Sequence, residues 1–149
     1  MNQLKVKRLR PGAVLPKRAT AESAGYDLCA CIELPLRLPA GDRVSVPTGI
    51  AIELDSPDGG AAAFVFGRSG LGIRHGIVPS NAVGVIDADY RGEILVGLSN
   101  HSDADYEIQP GERIAQLVLL PVFTPEVLEC DTLSDTRRGA GGFGSTGRR

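Results

Sequence analysis

The sequence predicts an all-β domain of the sandwich or barrel kind, and three observations carry that expectation. Its 19 glycines and 10 prolines are spread through the chain and cut it into short pieces. Within the pieces apolar and polar residues alternate with a period of two, and no ten-residue stretch has clean helical periodicity. Turn-forming sequences stand between the pieces, the pattern of short strands joined by reversals.

Taken in order, Ile50, Ile52 and Leu54 share one strand face, opposite Ala51 and Glu53. Phe64 and Phe66 flank Val65 in the next strand. Ile94, Val96 and Leu98 lie opposite Leu95, Gly97 and Ser99; Ile114, Val118 and Leu120 lie opposite Ala115, Leu117 and Leu119. The turns are Pro39 to Asp42, Pro47 to Gly49, Ser56 to Gly60 and Gln109 to Glu112, each with Pro and Gly. A single brief helix is expected at Ser69 to His75. Residues 1–136 read as one β domain. The last thirteen, RRGAGGFGSTGRR at 137–149, cannot bury enough surface to offset their ordering entropy and read as a flexible arm.

Composition narrows the function. The net charge of −2, from 16 basic and 18 acidic residues, argues against a general nucleic-acid binder. A polyanionic ligand must instead be met by locally gathered Arg and Lys. No run approaches a membrane span, and the N-terminus lacks the apolar core of a signal peptide. The odd set Cys29, Cys31 and Cys130 fits reduced thiols in a cytoplasmic protein, with no second pair to complete a zinc site.

Five stretches carry candidate chemistry. GVIDADYRGEI at 84–94 reads as a β-hairpin, yet Asp87 stands at the end of an apolar run where a hairpin needs no carboxylate, and Tyr90 follows three residues later. That suits a base beside a lid for a ring. In GRSGLGIRHG at 67–76, Arg68, Ser69 and Gly70 open the short helix. They suit phosphate oxygens, or form a Ser N-cap beside a surface Arg. His75 has no nucleophile to pair with and reads as structural. Gln116 shares a face with Ile114, Val118 and Leu120, so its amide is buried or in an interface and needs partners. Asp27, between Tyr26 and Leu28, caps a turn, pairs with an Arg or holds a metal's water shell. The arm holds Arg138, a glycine cluster, Phe143, Ser145 and Thr146, suited to wrapping phosphates and covering a ring; it lacks the GK[ST] ending of a P-loop.

AGYDL, GRSGL, GVIDADYRGE, GERIAQL and RGAGGFGSTG occur in this order from residue 24 to 147. Together they resemble the five motifs of the trimeric dUTPase family, deoxyuridine 5′-triphosphate nucleotidohydrolases. The resemblance implies a jelly-roll β subunit in a homotrimer with shared active sites, hydrolysing dUTP to dUMP and pyrophosphate with Mg²⁺. By the same resemblance Asp87 activates the attacking water, and Asn81 with the backbone of Val85, Ile86 and Leu95 reads uracil. Tyr90 packs on the deoxyribose. Arg68, Ser69, Gly70 and Gln116 hold phosphates, Asp27 stands behind them near the metal's waters, and Arg138, Phe143, Gly144 and Ser145 close from the arm. The ion itself would be held mainly by substrate phosphates and water.

A neighbouring family, dCTP deaminase, is the competing reading, with a non-catalytic nucleotide-binding trimer behind it. The deaminases resemble dUTPases in fold but carry a catalytic Glu where this chain has Gly97, and a second Ser where it has Gly70. Both departures favour the hydrolase. Gly67 stands where many relatives have Pro, and Arg148 and Arg149 extend past the motif without an assigned role.

Overall fold

The computed structural model describes residues 3–56 and 60–142. Its elements are β1 (Leu4–Arg8), β2 (Tyr26–Cys29), β3 (Leu36–Leu38), β4 (Arg43–Pro47), β5 (Ile50–Leu54) and β6 (Ala61–Phe66), then α1 (Ser69–His75). After it come β7 (Ile77–Pro79), β8 (Gly84–Ile86), β9 (Leu95–Asn100), β10 (Tyr106–Ile108) and β11 (Arg113–Pro121). This is the all-β, jelly-roll-like sandwich expected, with the helix where the sequence placed it. α1 stops because Gly76 takes φ 68, a left-handed C-cap conformation that a side chain disfavours.

Every ladder is antiparallel and joins strands distant in sequence. A four-stranded sheet has the order β2-β11-β6-β8, a three-stranded one β4-β9-β7, and β1-β5 and β10-β3 form two-stranded ribbons. Alternation explains the core. Ile94, Val96 and Leu98 are buried while Leu95, between the first two, is 56% exposed. In β5 the alternation is weaker than expected, since Ala51 on the opposite face is buried along with Ile50, Ile52 and Leu54. One continuous apolar cluster includes Leu28, Val46, Ile50, Val96, Ile114 and Leu117. Asn100, 1% exposed, donates to the carbonyls of Leu38 (3.1 Å) and Ala104 (2.8 Å) and accepts from Ser102 N (3.0 Å). Its polarity is thus fully answered inside the core.

Two sequence expectations need correction. Gly84 to Ile94 does not form a hydrogen-bonded hairpin: β8 pairs with β6 and β9 pairs with β4 and β7. Polar residues and Gly report that a chain reverses, not that the flanking strands stay together; here the reversal crosses from one sheet to the other. Second, Ile114 does not share an open face with Gln116. The β11–β2 register shifts between Arg113 and Ala115, which breaks the alternation and leaves Ile114 1% exposed. Gln116, Val118 and Leu120 remain on a half-open face.

Among the described residues no helix is long and apolar enough to cross a membrane. Cys29, Cys31 and Cys130 are free thiols, and burial pushes the Cys29 thiol pKa up, as suits a packing residue. Beyond Pro121, residues 122–142 form neither strand nor helix, and Phe123, Val127, Leu128 and Leu133 stand almost wholly exposed.

Candidate active site

Because β8 and β9 belong to different sheets, they splay, and a cavity of about 250 Å³ opens between them. Asn81, Val85, Ile86, Asp87, Tyr90 and Leu95 line it, so six of the predicted residues meet in one place. Val85 and Leu95 are 62% and 56% exposed, and Gly97 also lines the cavity, without a side chain to narrow it. β8 ends its sheet, and among the described residues its outer edge has no strand neighbour. Asn81 is set by a tight reversal in which Ala82 N donates to Pro79 O (3.1 Å) and Ala82 takes φ 62. Left-handed backbone at an alanine is uncommon and marks a turn held by its surroundings.

The turn after β8 carries the acid and the ring. Tyr90 N donates to Asp87 O (3.2 Å), which sets the two residues three apart on one bend. Asp87 is exposed and lines both the cavity and a wider outer groove with Glu53, Asp55 and Asp89. It therefore stands at the cavity mouth, accessible to water. Tyr90 is 46% exposed and donates its hydroxyl to Glu93 O (3.1 Å).

A second group of predicted residues gathers on the four-stranded sheet. Register places Gln116 of β11 between Asp27 of β2 and Phe66 of β6, and Arg68 follows two residues after Phe66. Asp27 pairs with two guanidiniums, accepting a hydrogen bond from Arg113 Nη1 (3.1 Å) and lying 3.2 Å from Arg68 Nε. Of the three readings of Asp27, pairing with Arg is the one observed. Arg68 also donates to Arg113 O (2.8 Å), and Gln116 Nε2 donates to Gly67 O (3.0 Å). The amide is half-buried and partnered by backbone. Ser69 is not an N-cap: Arg68 occupies that position, with φ −98 and ψ 133 and no side-chain cap. Intrahelical bonding begins at Leu71 N to Arg68 O (3.1 Å), so the N–H groups of Ser69 and Gly70 precede it, on exposed residues.

His75 keeps its structural reading, tilted against Tyr106 with ring centroids 5.1 Å apart. Tyr106 donates to Glu112 Oε1, whose other oxygen accepts from Gln109 N (2.8 Å). Burial first, then the hydrogen bond to Glu112, pushes the Tyr106 pKa up to about 12.

None of Asp27, Arg68, Ser69, Gly70 or Gln116 lines the cavity between β8 and β9. Arg138 is exposed and bonded within its own segment, Nε to Gly141 O at 2.8 Å. Phe143, Gly144, Ser145 and Thr146 lie outside the described residues. Two residues that the sequence reading passed over now stand out. Arg113 shares the Asp27 carboxylate, and Glu93 lines the cavity beside Tyr90. Arg113 does belong to GERIAQL, but only pairing of strands 86 positions apart brings it to Asp27.

Comparison with known proteins gives the context of this geometry. The dUTPase family model matches residues 12–147. A deoxyuridine 5'-triphosphate nucleotidohydrolase of Desulfitobacterium hafniense (strain DSM 10664 / DCB-2) is 49% identical over 151 residues, covering 99% of each chain. One from Burkholderia mallei (strain SAVP1) is 48% identical over 145 residues, covering 97% of each. Among solved structures, Staphylococcus bacteriophage 80alpha dUTPase with dUPNHPP aligns with a TM-score of 0.89 at 29% identity, over 99% of each chain.

Proposed function

Since the chain belongs to the dUTPase family, we propose that it hydrolyses dUTP to dUMP and pyrophosphate by water attack at the α-phosphorus. The observation that carries this reading is the cavity between the splayed strands, with an exposed carboxylate and an aromatic ring at its mouth. Uracil enters edge-on. Its two carbonyls and N3–H meet the backbone of Val85, Ile86 and Leu95 and the amide of Asn81. Cytosine exchanges a carbonyl for an amine donor and leaves site donors unpaired, a mismatch worth several kcal/mol once buried. Tyr90 packs on the deoxyribose and leaves no space for a 2′-hydroxyl. Asp87 accepts a proton from the attacking water and orients it.

The triphosphate is met by Arg68, the N–H groups and hydroxyl of Ser69 and Gly70, and Gln116. Arg68 arrives already oriented by Asp27. Among the described residues no group of three His, Cys, Asp or Glu stands ready for a metal, and both Asp27 oxygens are taken by guanidiniums. That donor set fits Mg²⁺ held by the substrate's own phosphates and water, where it neutralises charge on the polyphosphate. Asp27 is then a residue behind the phosphate groups.

The active unit is a homotrimer. Among the described residues the cavity and the phosphate cluster do not line one pocket, which supports a second copy supplying one to the other. The half-open face of Phe64, Val118 and Leu120 and the exposed Phe123, Val127, Leu128 and Leu133 suit burial against copies. Residues 137–149 close over bound nucleotide, with Arg138 on the phosphates and Phe143 over the base. The free thiols suit a reducing, cytoplasmic setting.

The test offers the protein Mg²⁺ with dUTP, dCTP, dTTP or UTP and follows pyrophosphate and ammonia. Pyrophosphate from dUTP alone is expected. Ammonia from dCTP would sink the reading, although Gly97 brings no carboxylate to the cavity for deamination. Deleting residues 137–149 should abolish most turnover while the trimer persists in sedimentation; normal turnover would remove the arm from the mechanism.

A further inference from the structure

Tyr90 does not hold itself in place. Its hydroxyl donates to the carbonyl of Glu93 (3.1 Å), three residues on, and its ring lies against Gly92, where an added Cβ would overlap the ring and hydroxyl. The ring is therefore positioned only as well as Glu93 is. Glu93 is anchored to another part of the chain. Its Oε1 accepts from Gly49 N (2.9 Å) and its Oε2 from Arg10 Nη2 (2.9 Å), while its side chain is 18% exposed. Ile94 adds to the same anchor: its carbonyl accepts from Thr48 N (3.2 Å) and Thr48 Oγ1 (2.7 Å), and its N–H donates to Ile50 O (2.9 Å). The β4–β5 turn and the segment that follows β1 thus form a platform for residues 93–94, reinforced by Leu9 N donating to Gly49 O (2.7 Å).

We propose that Glu93 is a positioning residue for sugar selectivity, transmitting the position of the β4–β5 turn to Tyr90 and so setting the preference for 2′-deoxy over 2′-hydroxy nucleotides. This rests on the reading of the protein as a dUTP hydrolase. The chemistry is steric. A 2′-hydroxyl is excluded by a ring that cannot yield, and displacement of a supporting group by about 1 Å is enough to change such a fit. Gly92 serves the same end, because its missing side chain is the space in which the ring lies.

The experiment uses the full-length protein and measures kcat/KM for dUTP and UTP, together with calorimetric binding of dUMP and UMP. Glu93→Ala is expected to lower the dUTP-to-UTP ratio roughly tenfold, mainly through a higher kcat/KM for UTP as the ring yields to the 2′-hydroxyl. Glu93→Gln, which keeps an oxygen for Gly49 N, restores part of it. Arg10→Ala, on an exposed side chain, lowers it about twofold. In a double-mutant cycle with Tyr90→Phe the two effects should not multiply, since Glu93 acts through the ring. An unchanged ratio in Glu93→Ala, even with reduced thermal stability, overturns the proposal, as does a fully multiplicative cycle. Should Glu93→Ala fail to fold, Glu93→Gln and Arg10→Ala decide by the same ratio, and no change in either overturns it. Failure of the unmodified protein to turn over dUTP would count against the activity, while a dUMP-over-UMP binding preference that survives Glu93→Ala counts against this inference.

Discussion

The cavity between β8 and β9 is lined mainly by backbone and apolar side chains, whereas the cluster at Asp27, Arg68, Arg113 and Gln116 is made of charge. The first owes its shape to topology: two short strands leave for different sheets and the gap between them is the site. Little there must move. The second owes its arrangement to register, which sets Asp27, Gln116 and Phe66 side by side on three strands. Without ligand its groups satisfy one another, Asp27 answering both guanidiniums and Gln116 the Gly67 carbonyl. In the proposed reading, binding a polyphosphate means exchanging internal partners for phosphate oxygens, so this region would carry affinity and its salt dependence while the cavity would carry choice of base.

Mutations can break that division. The largest effect is expected at the junction. Asp87→Asn should lower kcat on the order of a thousandfold with nucleotide affinity largely retained, measured by single turnover and calorimetry. Loss of binding instead would make Asp87 part of the recognition surface. Next, Arg68→Ala should cost about a hundredfold in kcat/KM for dUTP yet leave deoxyuridine binding unchanged, since deoxyuridine reaches only the cavity. A parallel loss of deoxyuridine affinity would show that the two regions are one. Asp27→Asn comes third. It leaves two guanidiniums without their shared anion and should lower stability by about 1–2 kcal/mol in chemical denaturation, with roughly tenfold weaker dUTP binding.

The smallest effect lies beside the charged region, at Tyr106. Its pKa is pushed up from 10.0 to about 12, so the fold favours the neutral phenol. The stability this contributes is fully present below the ordinary tyrosine value and is lost as pH rises through about 12. Denaturation midpoints should therefore fall between pH 10 and 12, and Tyr106→Phe should flatten that fall. A slope unchanged in the variant would assign it to another group.

Much of the fold is legible in the sequence. Period-two alternation placed the strands around Ile50, Phe64, Ile94 and Leu117, and the Ser69–His75 helix was visible as the one exception. The cavity residues were found through motifs, because each lies near another along the chain. What failed depended on distant pairing. The hairpin at 84–94 was misread because turn residues look alike in a hairpin and in a crossing between sheets. The face of Ile114 was misassigned because a register shift leaves no mark on composition. Arg113 and Glu93 escaped notice for the same reason: the partners that give them meaning, Asp27 and Gly49, are 86 and 44 residues away.

β8 is three residues long and terminates its sheet. An open strand edge is ordinarily a hazard, a row of donors and acceptors on which another chain can polymerise. Three residues, with the chain turning away at both ends, offer too little length to recruit a foreign strand. They do match the span of a single flat heterocycle with its own row of donors and acceptors. In the proposed reading the pyrimidine takes the seat that a neighbouring strand would have filled, and the protein stays protected from aggregation by the same shortness that makes its edge selective for a base.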